Sequence, residues 1–429
     1  MTFPLPRVAL AAVAAALTTT PAFAQSTLDR GDTAWMITAT VLVLLMIVPG
    51  LALFYGGLVR AKNLLSVLTQ VTAIACMVSI IWVIYGYSLA FTGDSGLIGD
   101  FSKAFLAGIA PDTLSGSIPE YVFLSFQMTF ACITTALIVG GIAERMRFAA
   151  LLAFAVLWVT FVYFPLAHMV WSENGYLLKL GALDFAGGTV VHINSGIAAL
   201  VGALMLGKRI GYGRDLLAPH SLPLTMVGGA LLWVGWFGFN AGSALQANGT
   251  AALAMINTFV ATAAAGLAWM LIEWATKGAP SLLGLISGAI AGLVAVTPAA
   301  GLIGPMGAIV LGAIGGAVSL FFCTTVKNAL RYDDSLDVFG IHAVAGIVGS
   351  IGTGILVSPS LGGVGVEGYD MATQVWKQVV AVAVAVAWCG VISAILYKVV
   401  DVVIGLRVSK ETEREGLDLA EHTERAYNM

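Results

Sequence analysis

The chain has 429 residues, of which 59% are hydrophobic and only 10% charged. A soluble domain carries about 25% charged residues, so this chain cannot clothe itself in a solvated surface and the bilayer is its expected solvent. The net charge of −3 argues against a nucleic-acid partner.

At the N-terminus, Arg7 precedes the apolar run Val8 to Leu17, and Thr-Pro-Ala-Phe-Ala ends at Ala24. A charged start, a short apolar stretch and a small-x-small site read as a cleavable signal peptide over residues 1–24. The mature chain would then begin near Gln25 with its N-terminus outside, as in a bacterial inner-membrane protein.

Eleven apolar segments follow, near 34–58, 63–92, 118–141, 147–170, 186–207, 222–240, 251–275, 281–298, 303–325, 337–358 and 376–404. A helix of about 20 residues crosses a bilayer, so the expectation is an all-α polytopic protein of eleven transmembrane helices. On that count, fifteen Lys and Arg fall at inner ends, among them Arg60, Arg145, Lys208 and Arg331. Four fall outside: Arg30, Lys103, Lys179 and Lys377. The positive-inside rule therefore places the C-terminus in the cytoplasm.

The first segment holds Gly50-x-x-x-Phe54-x-x-Gly57 and the sixth Gly235-x-x-x-Phe239-x-x-Gly242. The fifth opens with Asp184 and carries His192 eight residues on; the tenth opens with Asp334 and carries His342 at the same distance. Segments one to five (34–207) thus match six to ten (222–358), and an odd repeat length makes the halves inverted. Such repeats put a path near the midplane at their interface. Segment 376–404 is an extra helix, and 405–429 a cytoplasmic tail.

Histidines at membrane depth are expensive and usually face an interior path. A lone one reads as a helix-helix hydrogen bond; two at matched positions would meet and could share a proton through their ring nitrogens. No carboxylate or thiolate lies close in sequence to suggest a metal. Asp184 and Asp334 lie about 12 Å of helix from their histidines, where a carboxylate caps free N–H groups, or, for Asp184, lends negative charge to an outer cation site. Asp337 has no evident role. Phe126 and Phe130 lie a turn apart, Trp171 ends the fourth segment, and Trp236, Phe239 and Ser243 sit near the outer end of the sixth. Aromatics in membrane helices are mostly core or interface, but Trp171, Phe130 and Ser243 converge from outer ends. A desolvated cation gains about 2 kcal/mol from an aromatic face. Cys76, Cys132, Cys323 and Cys389 lie in apolar runs without paired spacing and read as core packing.

Asp184-Phe-Ala-Gly-Gly-Thr-Val-Val-His192-Ile-Asn-Ser-Gly, running on to Gly207-Lys-Arg209, resembles the signature of the Amt/methylammonium permease/Rhesus family. Further matches are Pro49-Gly-Leu-Ala-Leu-Phe-Tyr-Gly-Gly, Gly235-Trp-Phe-Gly-Phe-Asn-Ala-Gly-Ser243, Asp334-x-x-Asp-Val-Phe-Gly-Ile-His342, and the tail Gly405-Leu-Arg-Val-x-x-Glu-x-Glu-Arg-Glu-Gly-Leu-Asp418. The resemblance covers nearly the whole mature chain and is strongest to the bacterial ammonia channel. It implies a homotrimer with one pore per subunit, transporting ammonium without a cofactor, and no enzyme.

By the same resemblance, Trp171, Phe130 and Ser243, with Phe126 beside them, form an outer ammonium site. Phe130 and Phe239 form a gate, and His192 and His342 the pore pair. Trp236 and Tyr55 line or support the pore, and Asp184 supports the outer site and deprotonation. Ammonium would be caught, lose its proton and cross as ammonia. An ammonium sensor and a neutral-gas channel for carbon dioxide are the alternatives. The tail's dense alternating charge reads alone as a solvated end, but apolar Leu406, Val408 and Leu417 among the charges suit a segment folded onto the inner face. The resemblance also implies a trimeric P-II nitrogen-signal protein docking there.

Overall fold

A computed structural model describes residues 27–427; the signal-peptide segment 1–24 lies outside the described residues. Among the described residues, ten helices are long and apolar enough to cross a membrane. They are α1 (Arg30–Leu58), α2 (Ala61–Phe91), α3 (Glu120–Ile142), α4 (Phe148–Leu180, broken by a turn after Trp171), α5 (Gly188–Leu206), α6 (Leu222–Gly242), α7 (Gly249–Lys277), α9 (Pro305–Leu330), α10 (Phe339–Leu356) and α11 (Met371–Val403). Segment 281–298 is also helical as α8 (Leu282–Val296), but it has only 15 residues. At 1.5 Å per residue it is about 22 Å long, short of the ~30 Å hydrocarbon core. The chain then turns over residues 297–303 before α9 begins.

Helix starts follow local chemistry. Ser221, Asn248, Ser281 and Asp370 each accept backbone N–H groups through a side-chain oxygen ahead of α6, α7, α8 and α11. A helix end left bare in lipid would strand those donors. The two histidine-bearing helices open differently. Both α5 and α10 begin with a wide π-helical turn, Gly188–Ile193 and Phe339–Val344. Asp184 and Asp334 precede these turns in the loops, so the sequence expectation that they open the helices is corrected.

Close approach of α5 and α10 depends on small residues. A Cβ on Gly196 would lie 2.4 Å from the Ala343 backbone nitrogen, and one on Gly346 3.3 Å from the His192 Cβ. Gly196 therefore permits the backbone contact that brings both histidines together.

Most hydrophobic residues turned inward form one continuous core through the bundle. Cys132 and Cys389 are buried, Cys323 is partly covered, and Cys76 is exposed. The core-packing expectation therefore fails for Cys76, which sits on the outward face of α2.

The tail is folded. After α11 it forms two short helices, α12 (Lys410–Glu415) and α13 (Leu417–His422). Leu406, Val408 and Leu417 are buried. Glu413 pairs with Arg407 at 2.7 Å and accepts the Ile210 N–H at 2.6 Å. The Asp418 carboxylate accepts the N–H groups of Leu65 and Ser66 at 3.1 and 2.8 Å, capping the start of α2's long run. This end of the bundle is the one rich in Lys and Arg, so the solvated-end reading of the tail does not hold.

Candidate functional site

Trp171, Phe130 and Ser243 come together at one end of the bundle. They line a cavity of about 140 Å³ with Gln127, Phe185 and Leu245 among its other walls. The Phe130 and Trp171 rings meet edge to face, 5.8 Å apart at 82°. The Trp171 indole donates to the Asp184 carbonyl at 3.0 Å, which ties down the ring's polar edge. The Ser243 hydroxyl donates to the Phe239 carbonyl at 2.8 Å, so its oxygen can only accept from a visitor. Aromatic faces and a hydroxyl oxygen open to accept suit a small cation carrying N–H groups.

The Asp184 side chain is occupied with its own loop. Its two oxygens accept from the backbone N–H groups of Gly187, Gly188, Thr189 and Val190 at 2.5–3.2 Å, and from the Thr189 hydroxyl. This is the capping arrangement. Its influence on the cavity runs through the loop that also presents its carbonyl to Trp171.

Phe126 packs on Phe130 with centroids 4.8 Å apart and does not line the cavity. Gln127, one residue on, does line it, and its side-chain oxygen is buried without a partner among the described residues. The sequence reading passed over Gln127. An amide between two site aromatics, at a depth where unpaired amides are costly, was the available signal.

Beneath this cavity Phe130 and Phe239 stack at 4.1 Å and 19°. Phe239 in turn touches His192, with ring centroids 5.9 Å apart. The His192 and His342 Nδ1 atoms are 3.1 Å apart and their rings nearly parallel at 15°. One nitrogen must then donate and the other accept. Trp236 stacks on His192 at 5.2 Å and is held by its indole N–H to Thr297 at 2.9 Å. The histidines line a cavity of only about 10 Å³ with Trp236, Phe54, Leu232 and Ile290. That is about one water-sized sphere. His192 Nε2 has no protein partner there among the described residues. Tyr55 does not line this cavity; its hydroxyl donates to the Leu137 carbonyl at 3.0 Å and supports the wall.

Phe54 also lines the next opening, a vestibule of about 310 Å³ at the basic end. Lys327 and Asp337, paired at 2.6 Å, stand on its wall, which gives Asp337 a place. Asp334 is buried, accepts the Phe339 N–H at 2.7 Å, and leaves one oxygen unpartnered. Burial pushes its carboxyl up to about 6 despite nearby Lys327.

Behind the vestibule lies a cluster the sequence reading did not foresee. Arg209 binds Asp333 at 2.8 Å and Glu144 at 2.9 Å, and Arg60 reaches Glu144 at 3.0 Å. Burial alone would raise the Glu144 carboxyl, but the Arg209 and Arg60 guanidiniums outweigh it and hold it at about 2. Arg145 donates to the carbonyls of Asp333, Gly207 and Gly141, so it clasps the connecting loops.

A profile of the Ammonium Transporter Family matches residues 34–427. The ammonium transporter of Bacillus subtilis is 48% identical over 406 residues, covering 93% of this chain and 99% of that one. The crystal structure of Saccharomyces cerevisiae Mep2 overlays with a TM-score of 0.82 at 36% identity, covering 90% of this chain and 89% of its own. A structure described as a sensor Amt protein overlays at 0.85 and 31% identity, covering 91% and 98%. With a profile match over nearly all described residues and relatives of this similarity, the chain belongs to the ammonium transporter family, whose members are multi-pass membrane proteins moving ammonium.

Proposed function

We propose that this transporter captures ammonium at the Trp171 cavity, removes its proton, and conducts ammonia past the His192–His342 pair. The observation that carries this is the histidine cavity of about 10 Å³ behind a closed aromatic stack. An ion cannot bring its water through such a passage. Moving a bare cation into low dielectric costs of order 20 kcal/mol in the idealised limit. Removing a proton from a group whose pKa lies about two units above neutral pH costs about 3 kcal/mol. The neutral molecule is the cheaper passenger.

In this reading Trp171, Phe130 and Ser243 hold ammonium, with Phe126 backing Phe130. Phe130 and Phe239 swing apart as the gate. Asp184 positions Trp171 and its loop beside the deprotonation point. His192 Nε2 offers the passing molecule a hydrogen bond; a buried nitrogen left alone costs about 1–3 kcal/mol, which a visiting partner would offset. Trp236 and Tyr55 hold the wall. The Trp171 end faces outside and the basic end the cytoplasm, in keeping with the positive-inside bias. The short α8 completes an eleven-helix, inverted-repeat plan. The working unit is a homotrimer in the inner membrane, made after removal of a signal peptide. A P-II partner docks where the tail folds onto the basic end; threefold symmetry on both sides would multiply its affinity.

The test is solid-supported membrane electrophysiology on proteoliposomes given an ammonium jump. Ammonium should produce transport where potassium, similar in size but without a proton to shed, does not. Potassium currents equal to ammonium currents would overturn the mechanism. The likeness to a sensor Amt protein supports a second reading, in which ammonium is bound and signalled; saturable binding with no transport would favour it.

A further inference from the structure

The link from α6 to α7 runs only from residue 243 to 248, and it reverses the chain beside the Trp171 cavity. Leu245 makes the reversal. Its φ of 56° lies in the left-handed region, and its N–H closes the turn on the Gly242 carbonyl at 2.8 Å. Past a helix end glycine usually takes this conformation, because any Cβ crowds the backbone there. A leucine kept in it is held against its own preference, so the side chain, and not the turn, is what needs explaining. The holding contacts lie just beyond. Asp32, in the first turn of α1, accepts the Ala247 N–H at 2.8 Å and, through its other oxygen, the Ser117 hydroxyl. Asn248 then caps α7 by accepting the N–H groups of Thr250 and Ala251 at 3.0 and 3.1 Å.

The Leu245 side chain lines the cavity of about 140 Å³. Five aromatic rings, Phe130 and Trp171 among them, share the wall, with Gln127 and Ser243 as its polar side chains. Among the described residues Leu245 is the one aliphatic side chain there. It is half-buried and packs on the core, so one side of it meets the cavity and the other stays open to solvent. An aromatic face attracts a cation more strongly once water is kept away. An aliphatic group keeps water away without offering a donor or acceptor of its own, and it takes up room that a larger cation would need.

We propose that Leu245 is a specificity-determining residue for capture: held at the Trp171 cavity by the Asp32 contacts, it shuts water away from the bound ammonium and crowds alkylated ammonium ions. The inference rests on ammonium binding beside Trp171. Asp32 is a positioning residue, acting through the link and not on the cation.

The full-length protein is reconstituted in proteoliposomes, and currents are recorded over series of ammonium and methylammonium jumps. Leu245→Gly suits the backbone and removes the cover. Its half-saturating ammonium concentration should rise roughly three- to tenfold as the aromatic faces become wet. Methylammonium gains room as it loses the dry face, so the ratio of methylammonium to ammonium half-saturation should fall at least about threefold. Leu245→Met keeps an apolar cover and should stay near wild type in both. Leu245→Asn also accepts a left-handed backbone and admits water; it should repeat the glycine result, and it carries the test if the glycine variant does not fold. Asp32→Ala should shift half-saturation in the same direction, and Asp32→Asn, which can still accept the Ala247 N–H, should restore it. The proposal is overturned if either quantity stays within about twofold of wild type in folded Leu245→Gly or Leu245→Asn, if only the maximal current falls, or if Leu245→Met shifts as much as glycine. Trp171→Leu, run alongside, separates this role from capture itself. A shift at Trp171 with none at Leu245 removes only the role of Leu245; no shift at Trp171 removes the capture site and this inference with it.

Discussion

Replacing Trp171 by leucine removes an aromatic face from the Trp171 cavity and keeps a smaller apolar side chain. The indole edge is already committed to the Asp184 carbonyl, so what the cavity loses is the ring face. A cation gains about 0.5–1 kcal/mol from such a face when exposed and about 2 when desolvated. Trp171 is neither fully buried nor exposed, and the cavity of about 140 Å³ is sheltered by Phe130. We therefore expect a loss of about 1–2 kcal/mol, or roughly 5- to 30-fold in the half-saturating ammonium concentration. The Asp184 carboxylate keeps its four backbone N–H partners without the indole, so the loop should hold. Trp171→Phe separates the two contributions, since it keeps a face and loses only the edge bond. Currents recorded over a series of ammonium jumps give the concentration dependence for each variant. A half-saturation for Trp171→Leu within twofold of wild type, in correctly folded protein, would refute a cation site at Trp171.

His192→Asp should relax discrimination between ammonium and potassium, because a carboxylate in the 10 Å³ cavity could hold the cation itself; unchanged selectivity in reconstituted protein counts against the pore role. Glu144 is held at about 2, below its ordinary 4.5, so it stabilises the fold above pH 4.5 and loses that contribution as pH falls toward 2, a total of about 3 kcal/mol. Glu144→Gln should lower the melting temperature in detergent at pH 7 and flatten its decline below pH 4.5; an unchanged decline would place the acid sensitivity elsewhere. Asp418→Ala removes the cap on α2 at a cost of about 1 kcal/mol, so the tail should be cut faster by protease and bind a P-II partner differently. A tail as protected as in wild type would show that Leu406, Val408 and Leu417 suffice to dock it.

The membrane helices were legible because the bilayer imposes one requirement on every span, a long apolar run with its backbone bonded internally. Segment 281–298 shows where that reading loosens. Its apolar composition continues past Val296, but the backbone turns there, and hydropathy does not distinguish a helix from a buried turn. The tail is the converse case. Its charges resemble a solvated end until partners distant in sequence appear, such as Ile210 for Glu413 and Ser66 for Asp418. The Glu144–Arg209–Asp333 cluster escaped for the same reason. Its members lie 65 and 124 positions apart, and spacing along one helix predicts nothing about them.

The histidine pair was legible because a repeat supplies long-range information that local patterns lack: two matched positions must meet if the halves do. The same reasoning gave Asp184 and Asp334 matched capping positions, with a cation-site role for Asp184 alone, and the structure separates their side chains. Asp184 is saturated by four backbone N–H groups and the Thr189 hydroxyl. Asp334 receives one short bond from Phe339, lies near Lys327, and keeps an unpartnered oxygen. The surroundings diverge in the same way, with the Trp171 indole donating to the Asp184 carbonyl and the Lys327 ammonium to the Asp334 carbonyl. An inverted repeat makes the two ends of a path alike, whereas capture from dilute solution and release into a cell make opposite demands. Catching a scarce cation calls for a face that attracts charge after water is lost, and letting ammonia go calls for an open, wet vestibule. On the proposed mechanism the symmetry would be kept at the histidines, where a neutral molecule would pass either way, and broken at the mouths, where the two tasks differ.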